Sequence, residues 1–413
     1  MRRRFTSPSQ KACRKNSPTL PMTCLVPTAS RWKVSFSGLA PSRLPGRFPN
    51  SMWLAVTIAG CAALESLPHA TAQSADAPQG RDLTFSYISA IDGTVQPYRV
   101  YVPSRHRPQE PIPLVLALHE TGGNQNRYFD FPKKYPPERG LLSAAEHYGV
   151  LVVCPSGRGN LEWRGIAENA FFCVLADVRR RFRIDENRIY LTGHSMGGSG
   201  TAYLGLHHPD LFAAIAPMAG SNGYEYLAAN TRHLPVRWSV GGADAVWRRK
   251  WIKASVERMK RFGGQVEYIE VPGGNHYAPA QDFLPVFDWF LQHRRPAMPR
   301  EFTFEVDTPL HGAAYWTSIK SIAGPGKIAV VRAKAESPRL ARLHLENVEA
   351  IALWPEPTVF DGNAGIEVFV GAARAFSGRL SPEEELTLRR SDSGWTAEVH
   401  PRQERLLTAY RVH

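Results

Sequence analysis

The sequence has few cysteines and no apolar run long enough to cross a bilayer. Five cysteines occur in 413 residues, and three of them precede residue 72. The longest apolar stretch, residues 53–64, covers about a dozen residues, whereas a spanning helix needs about twenty. The sequence also has no internal repeat and no His/Cys cluster at metal-ligand spacing. These absences argue against a disulfide-rich scaffold, an integral membrane protein, a repeat array and a metal-dependent site.

Positive charge is concentrated in one part of the chain. The net charge is +13, but residues 1–72 hold ten Lys or Arg and a single acidic residue, so the remainder carries only +4. A balance of that size is ordinary for a protein surface. No helix-turn-helix, zinc-finger or RNA-binding signature is present. We therefore expect no nucleic-acid partner.

The basic N-terminal region is typical of an export leader. Its apolar run follows Arg43 and Arg47 and precedes A-T-A at 70–72, an A-x-A cleavage site. A second processing site is also present, because I-A-G-C at 58–61 resembles a lipobox that would lipidate Cys61. The apolar run continues past Cys61, which favours cleavage after residue 72. We expect an exported protein, periplasmic or extracellular, with a membrane-anchored lipoprotein as the alternative.

Two cysteines remain beyond the leader. Cys154 and Cys173 could pair with each other in an exported protein. Two buried thiols are the simpler expectation, because free cysteine behaves as a small apolar residue. Neither cysteine has the histidine arrangement of a Cys nucleophile.

Strand and helix patterns alternate between residues 80 and 295. Continuous apolar runs at 113–119 and 150–154 are typical of strands buried in a parallel sheet. Helical spacing of apolar residues occurs at 167–182 and 247–262. The alternation predicts an α/β fold with a doubly wound, mostly parallel sheet. In such folds ligands bind at the carboxyl ends of the strands.

The pattern changes after Pro296. Period-two alternation, separated by Gly, Pro, Asp and Ser, occurs at 327–335, 341–354, 365–370 and 385–388. This predicts a small all-β domain over residues 300–413, which follows the α/β domain of residues 80–295. Trp316, Trp354 and Trp395 could stack on sugars or serve as core aromatics. His311 and His344 are assigned to packing or to the surface.

Residues 189–198, I-Y-L-T-G-H-S-M-G-G, combine a strand, a sharp turn and the start of a helix. Residues 193–197 spell G-x-S-x-G. Between a strand and a helix, this motif holds its serine at a strained apex as an exposed nucleophile. The flanking glycines lack the Cβ atoms that would clash in so tight a turn. We therefore identify Ser195 as the candidate nucleophile.

A nucleophilic serine needs a base, and the base needs an acid that orients it. Asp244, in G-G-A-D at 241–244, follows a predicted strand and is the favoured acid; Glu225, in a loop with no other signal, is its rival. His276, in G-G-N-H at 273–276, is the favoured base. Three other histidines are assigned to packing or to positions away from the site: His194, His207 and His208.

An oxyanion hole needs two backbone N–H groups. One is expected at Met196, directly after the nucleophile. The other is expected in the loop after the strand at 113–119, at Thr121 or Glu120, with Thr121 preferred.

These motifs resemble the esterase branch of the α/β-hydrolase superfamily, which includes polyhydroxybutyrate depolymerase-like, feruloyl-esterase-like and prolyl-oligopeptidase-like secreted proteins. The resemblance covers about 80–295, and its matching stretches are P-L-V-L-A-L-H at 113–119, V-V-C-P-S-G-R-G at 152–159, R-I-Y-L-T-G-H-S-M-G-G at 188–198, H-H-P-D-L-F-A-A-I-A-P-M-A-G at 207–220 and G-G-N-H at 273–276. It implies Ser195 as nucleophile, Asp244 as acid and His276 as base.

The chain departs from the family pattern at two places. Glu120 follows His119 where the family has glycine, and an inward-pointing carboxylate there would repel an oxyanion. Gly241-Gly242 also replaces the usual His-Gly before the acid.

The resulting expectation is an exported serine hydrolase without metal or cofactor. It would cleave short acyl or aryl esters, free or carried on a polymer such as a polysaccharide or a polyester, through an acyl-enzyme. Residues 219–235 are too few for the large apolar lid that hydrolases often insert there, so the site should be open. The alternatives are a prolyl-oligopeptidase-like peptidase and a non-catalytic binding protein on a hydrolase fold.

Overall fold

The computed structural model describes residues 80–130, 138–221, 223–296, 298–361 and 364–402. All of them belong to one compact unit, Pro68–His413. The predicted leader, with Cys61 and the cleavage site at 70–72, lies outside these residues. Among the helices that are described, none combines the length and the apolar character needed to cross a membrane.

The elements are numbered along the described chain. The strands are β1 (Arg81–Ile88), β2 (Val95–Val102), β3 (Ile112–Leu118), β4 (Leu151–Pro155), β5 (Ile184–His194), β6 (Ala214–Met218), β7 (Val236–Gly241), β8 (Val266–Val271), β9 (Glu301–Val306), β10 (Ala313–Ala314), β11 (Thr317–Ile322), β12 (Ala329–Ser337), β13 (Leu340–Glu346), β14 (Val348–Leu353), β15 (Ile366–Val370), β16 (Ala373–Gly378), β17 (Glu384–Ser391) and β18 (Gly394–Pro401). The α-helices are α1 (Arg127–Asp130), α2 (Leu141–Tyr148), α3 (Ile166–Arg181), α4 (Met196–His207), α5 (Val246–Arg261) and α6 (Leu284–Leu291).

The described residues before 295 form an eight-stranded mixed sheet in the order β1-β2-β4-β3-β5-β6-β7-β8. The β1–β2 and β2–β4 pairs are antiparallel, and the other pairs run parallel. In the register, Leu118 pairs with Gly193, and Met218 pairs with both His194 and Ser239. The carboxyl ends of β3, β5, β6 and β7 therefore lie side by side.

Neighbouring residues of β3 belong to different parts of the core. Leu114, Leu116 and Leu118 join one buried apolar cluster, whereas Val115 and Ala117 join another. Since side chains alternate across a strand, both faces of the sheet are covered. This explains why β3 has a continuous apolar sequence rather than an alternating one.

Element bounds differ slightly from the sequence-based expectations. The helix expected at 167–182 spans Ile166–Arg181, and the helix expected at 247–262 spans Val246–Arg261. The short helix α1 follows the loop after β3, and residues 131–137 lie outside the described chain. Cys154 and Cys173 are free thiols; Cys154 is buried and Cys173 is half-buried.

The described residues after 300 form two five-stranded sheets, in the orders β10-β11-β14-β17-β18 and β16-β15-β13-β12-β9. They share a core that contains Phe304, Trp316 and Trp354. The single strand expected at 341–354 is two strands, because Asn347 adopts a positive φ of 56° between them. Trp316 and Trp354 are buried, so they are core aromatics rather than exposed sugar platforms.

The segment between β6 and β7 connects the two parts of this unit. It forms a 3-10 helix, Glu225–His233. The Asn230 side-chain amide donates to the Glu305 carbonyl at 2.8 Å, and its oxygen accepts from the Glu305 amide at 2.7 Å. The Tyr226 hydroxyl donates to Asp307 at 2.8 Å. This connection therefore docks against β9 and its following residues.

Candidate active site

Ser195 occupies the tight turn between β5 and α4. Its backbone has φ 56° and ψ −115°, a strained conformation for a residue with a side chain. Its amide donates to the Met218 carbonyl at 2.8 Å, which anchors the turn to β6. A Cβ atom on Gly197 would lie 2.0 Å from the Leu118 carbonyl oxygen. Only glycine fits there, so the G-x-S-x-G spacing has a steric cause in the neighbouring strand β3.

Three side chains from distant parts of the chain form a continuous hydrogen-bonded chain. His276 Nε2 lies 2.9 Å from Ser195 Oγ, and His276 Nδ1 lies 2.8 Å from Asp244 Oδ2. Asp244 follows β7, and His276 lies in the loop after β8. The geometry allows the imidazole to take a proton from the serine hydroxyl while the carboxylate holds the opposite ring nitrogen.

The Asp244 carboxylate is buried and ionised. Burial acts to raise its pKa, but hydrogen bonds from His276 and from the Ala245 amide, together with nearby positive charge, lower the pKa of Asp244 below its usual value. The Ala245 amide lies 2.6 Å from Oδ1. The negative charge needed to orient His276 is therefore retained at neutral pH.

His194 supports the loop that carries His276. It is fully buried, and its Nε2 lies 2.8 Å from the His276 carbonyl oxygen. Burial lowers the pKa of His194 to about 3, so the ring is neutral near pH 7. Its bond to the backbone helps to fix the position of the neighbouring imidazole.

The two amides expected to bind an oxyanion lie on neighbouring segments. Met196 is the first residue of α4, and Thr121 lies in the turn that follows β3. The turn is braced on both sides: the Gly122 amide donates to Asn160 Oδ1 at 2.7 Å, and the Gly123 amide donates to the Glu120 carbonyl at 2.9 Å. The end of β3 lies directly against the start of α4, because a Cβ atom on Gly197 would meet the carbonyl oxygens of Leu118 and His119.

The Glu120 carboxylate forms a buried ion pair with Arg127. Its side chain is almost fully buried, and Oε1 lies 2.5 Å from Nε of Arg127. The guanidinium compensates the carboxylate charge, which removes the repulsion that a free glutamate would exert on an oxyanion. The glutamate that departs from the family pattern therefore has a counterion, Arg127.

His119 and Trp163 pack together beneath the same turn. Their ring centroids lie 4.9 Å apart, and the Trp163 indole nitrogen donates to the His119 carbonyl at 3.3 Å. The Gly157 amide donates to His119 Nε2 at 2.9 Å. Burial lowers the pKa of His119 to about 4, so it stays neutral near pH 7 and can accept that bond.

Glu225, the rival acid, lies in the 3-10 helix that docks against β9. Its main-chain carbonyl accepts from Arg258 Nε at 2.9 Å. Within the described chain, no hydrogen bond or ion pair joins its side chain to His276, whereas Asp244 contacts His276 directly.

His207 and His208 lie at the end of α4, away from Ser195. His207 Nε2 lies 3.2 Å from Asp307 Oδ1, and His208 Nε2 lies 2.9 Å from Glu168 Oε1. His311, from the C-terminal part, also reaches Glu168 Oε1, at 3.0 Å. These contacts join the two parts of the unit.

Two sets of these side chains have ligand atoms close enough together to hold a metal ion. One set is Glu168, His208 and His311, and the other is His207, Asp307 and His311. Glu168 already accepts from both imidazoles and from the Tyr203 hydroxyl at 2.9 Å. His311 Nδ1 has no hydrogen-bond partner in the described chain, although metal-binding histidines almost always donate their second N–H. The donors therefore fit a buried hydrogen-bonded cluster better than a metal site.

Sequence reasoning missed several residues that contact the site: Asn160, Trp163 and Arg248. Arg248 forms an ion pair with Asp244 and lies 3.2 Å from His276 Nδ1. As one of several basic residues in an amphipathic helix, Arg248 gives no signal by itself. Its i,i+4 spacing from Asp244 could have suggested the pair.

Comparison with known proteins agrees with the geometry. Residues 173–277 match a family model described as "Putative esterase". The chain is 31% identical over 172 residues to a bifunctional acetylxylan esterase/xylanase of Neocallimastix patriciarum. The aligned residues cover 41% of this chain and 24% of that protein. It is 26% identical over 199 residues to a probable feruloyl esterase C of Aspergillus oryzae, which covers 45% and 69% respectively.

A solved structure described as a thermostable esterase aligns with a TM-score of 0.43 and 24% identity, over 52% of this chain and 63% of that one. The chain spans only about a quarter of the length of the acetylxylan esterase/xylanase that it matches. The predicted resemblance to serine esterases of the α/β-hydrolase superfamily is confirmed by the family match and by the esterase relatives.

Proposed function

We propose that the chain is an exported serine esterase, built on a doubly wound α/β-hydrolase sheet, that hydrolyses carboxylic esters through an acyl-enzyme. The observation that carries the proposal is the Ser195–His276–Asp244 hydrogen-bonded chain at the carboxyl ends of the strands. Export is inferred from the leader at residues 1–72. No metal or cofactor is required, because the three side chains supply nucleophile, base and orienting acid.

In this mechanism Ser195 Oγ attacks the ester carbonyl carbon while His276 Nε2 accepts the hydroxyl proton. The carbonyl oxygen becomes an oxyanion, which the amides of Met196 and Thr121 stabilise. His276 then protonates the leaving alcohol, and the acyl group stays on Ser195. Water, deprotonated by His276, cleaves the acyl-enzyme and restores the hydroxyl. Asp244 stays ionised throughout and stabilises the imidazolium.

The substrate we propose is a short acyl or aryl ester carried on a polymer. The relatives described above are named for acetylxylan and feruloyl ester cleavage, which supports esterase action over the prolyl-peptidase alternative. The 3-10 helix Glu225–His233, in the connection where lids are often inserted, docks against β9 through Asn230. An open site of this kind favours a bulky partner such as a substituted polysaccharide or a polyester.

The test uses a fluorophosphonate probe on the protein and on two serine variants. We expect the native protein to be labelled and Ser195→Ala to lose labelling completely, because the proposed nucleophile is the Ser195 hydroxyl, which lies 2.9 Å from His276 Nε2. Ser143→Ala is the matched control, since its hydroxyl donates to the Glu138 main-chain carbonyl and, in the described chain, bonds no imidazole. Full-rate labelling of Ser195→Ala would overturn the assignment.

A further inference from the structure

Arg248 lies against both the proposed acid and the proposed base. It is the third residue of α5, one helical turn after Asp244. Its Nη1 forms an ion pair with Asp244 Oδ1 and lies 3.2 Å from His276 Nδ1. The guanidinium also stacks on the exposed ring of Trp247, 4.7 Å from the ring centroid. Its side chain is 19% exposed. A cation therefore touches the imidazole on the side where the carboxylate holds it.

The two oxygens of Asp244 have different partners. Oδ1 accepts from the Ala245 amide and from Arg248, and Oδ2 faces His276. An orienting carboxylate normally stabilises the imidazolium that forms during catalysis. Here part of its negative charge is already compensated by Arg248. Protonation of the imidazole would also place two positive groups in contact, which disfavours the charged ring.

No other group around His276 supplies a compensating charge in the described chain. His194 packs at a ring-centroid distance of 4.8 Å and is neutral near pH 7. Tyr277 packs at 5.7 Å. Arg249 binds the Asp244 carbonyl at 3.2 Å and pairs with Glu270 at 3.4 Å, so its charge is directed away from the ring. Asp244 and Arg248 are therefore the two ionised side chains in direct contact with His276.

We propose that Arg248 is a positioning residue that acts on His276 through Asp244. It sets the acid limit of activity, which is the pH at which the rate falls to half of its maximum on the acidic side of the pH profile. It holds Oδ1, which leaves Oδ2 to the imidazole, and its charge, 3.2 Å from Nδ1, opposes the positive charge that the imidazole acquires when it accepts a proton. This inference rests on the proposed function of Ser195, Asp244 and His276. A purely structural ion pair would lower the rate equally at all pH values and leave the acid limit unchanged.

The experiment measures the second-order rate of Ser195 phosphonylation by a fluorophosphonate as a function of pH, together with kcat/KM for a neutral acetyl ester. In Arg248→Gln we expect the midpoint of the acid limb to move upward by about one pH unit, because a contacting charge shifts a titration by one unit or more and partial exposure reduces the effect. Arg248→Lys, which keeps a charge, should move it less. Lys250→Gln, an exposed position on the same helix, should leave it in place.

If the native protein is labelled and the acid limb of Arg248→Gln coincides with the native one, the proposal for Arg248 is overturned. The proposed function would then still stand. Absence of labelling and of ester turnover in the native protein would instead overturn the proposed function, and this inference with it. Should Arg248→Gln fail to fold, Arg248→Met takes its place, because it keeps an aliphatic stem on Trp247 while removing the charge.

Discussion

Arg127 Nε lies 2.5 Å from Glu120 Oε1, and both side chains are largely buried beside the turn that follows β3. The pair explains how a glutamate is accommodated next to a proposed oxyanion donor, at a position where the family resemblance implies glycine. The site therefore depends on a counterion that no local motif specifies.

Breaking this pair should affect both stability and rate. Arg127→Gln should lower the free energy of unfolding by about 3 kcal/mol, because it leaves a buried carboxylate uncompensated. It should also lower kcat, because the free charge opposes oxyanion formation. The Glu120→Gln/Arg127→Gln double variant should be more stable than Arg127→Gln alone, as measured by urea unfolding. Arg107→Gln, at an exposed ion pair, is the control. Equal losses in the single and double variants would count against the charge argument.

Removing the proposed acid or base should slow ester hydrolysis severely. Asp244→Asn and His276→Ala should each lower kcat by about three to five orders of magnitude, in line with such triads elsewhere. The effects should not add in the double variant, because the three side chains act as one unit. Steady-state kinetics with an acetyl ester measures this. Glu225→Gln is the comparison, and a loss there as large as in Asp244→Asn would make Glu225 the acid.

The buried Glu168 carboxylate should make stability pH-dependent. Burial acts to raise its pKa, but the hydrogen bonds from His208 and His311 outweigh it, and the pKa of Glu168 lies well below its usual value. A carboxyl group with a lowered folded-state pKa stabilises the protein above its unfolded-state pKa, and this stability is lost as the pH falls. Glu168→Gln should therefore cost about 2–4 kcal/mol at pH 7.

The difference between the native protein and Glu168→Gln should shrink by about 1.4 kcal/mol for each pH unit below about 4.3. Urea unfolding at pH 7 and pH 3 measures the difference. Glu110→Gln, at an exposed position, should show neither effect. A difference that grows at low pH would mean that the charge of Glu168 is not the stabilising feature.

An open site should not select long acyl chains. Burial of each methylene contributes about 0.8 kcal/mol. A site without an apolar lid cannot bury a long acyl chain, so it gains no preference for long chains over short ones. We expect kcat/KM to be higher for acetyl or feruloyl esters than for acyl chains of about twelve carbons or more, with no appreciable cleavage of prolyl peptides. A panel of esters and peptides measures this. Preference for long chains would contradict the open site, and efficient prolyl cleavage would favour the peptidase alternative.

The sequence by itself determined the features that depend on local backbone geometry. The turn at Ser195 needs glycines on both sides, because strand, turn and helix follow within ten residues. The buried parallel strands β3 and β4 likewise have continuous apolar sequences, since both faces are covered. The positions of Asp244 and His276 at strand ends also followed from local patterns.

Only the tertiary structure decided which distant side chains meet. Glu168 and His311 are 143 residues apart, and their contact depends on how the C-terminal sheets dock. The contact of Asp244 with His276, which are 32 residues apart, likewise depends on β7 and β8 lying side by side in the sheet. The break at Asn347 was missed because a positive φ interrupts an otherwise continuous alternating pattern. Contacts between elements follow from strand order and packing, which no short stretch of sequence specifies.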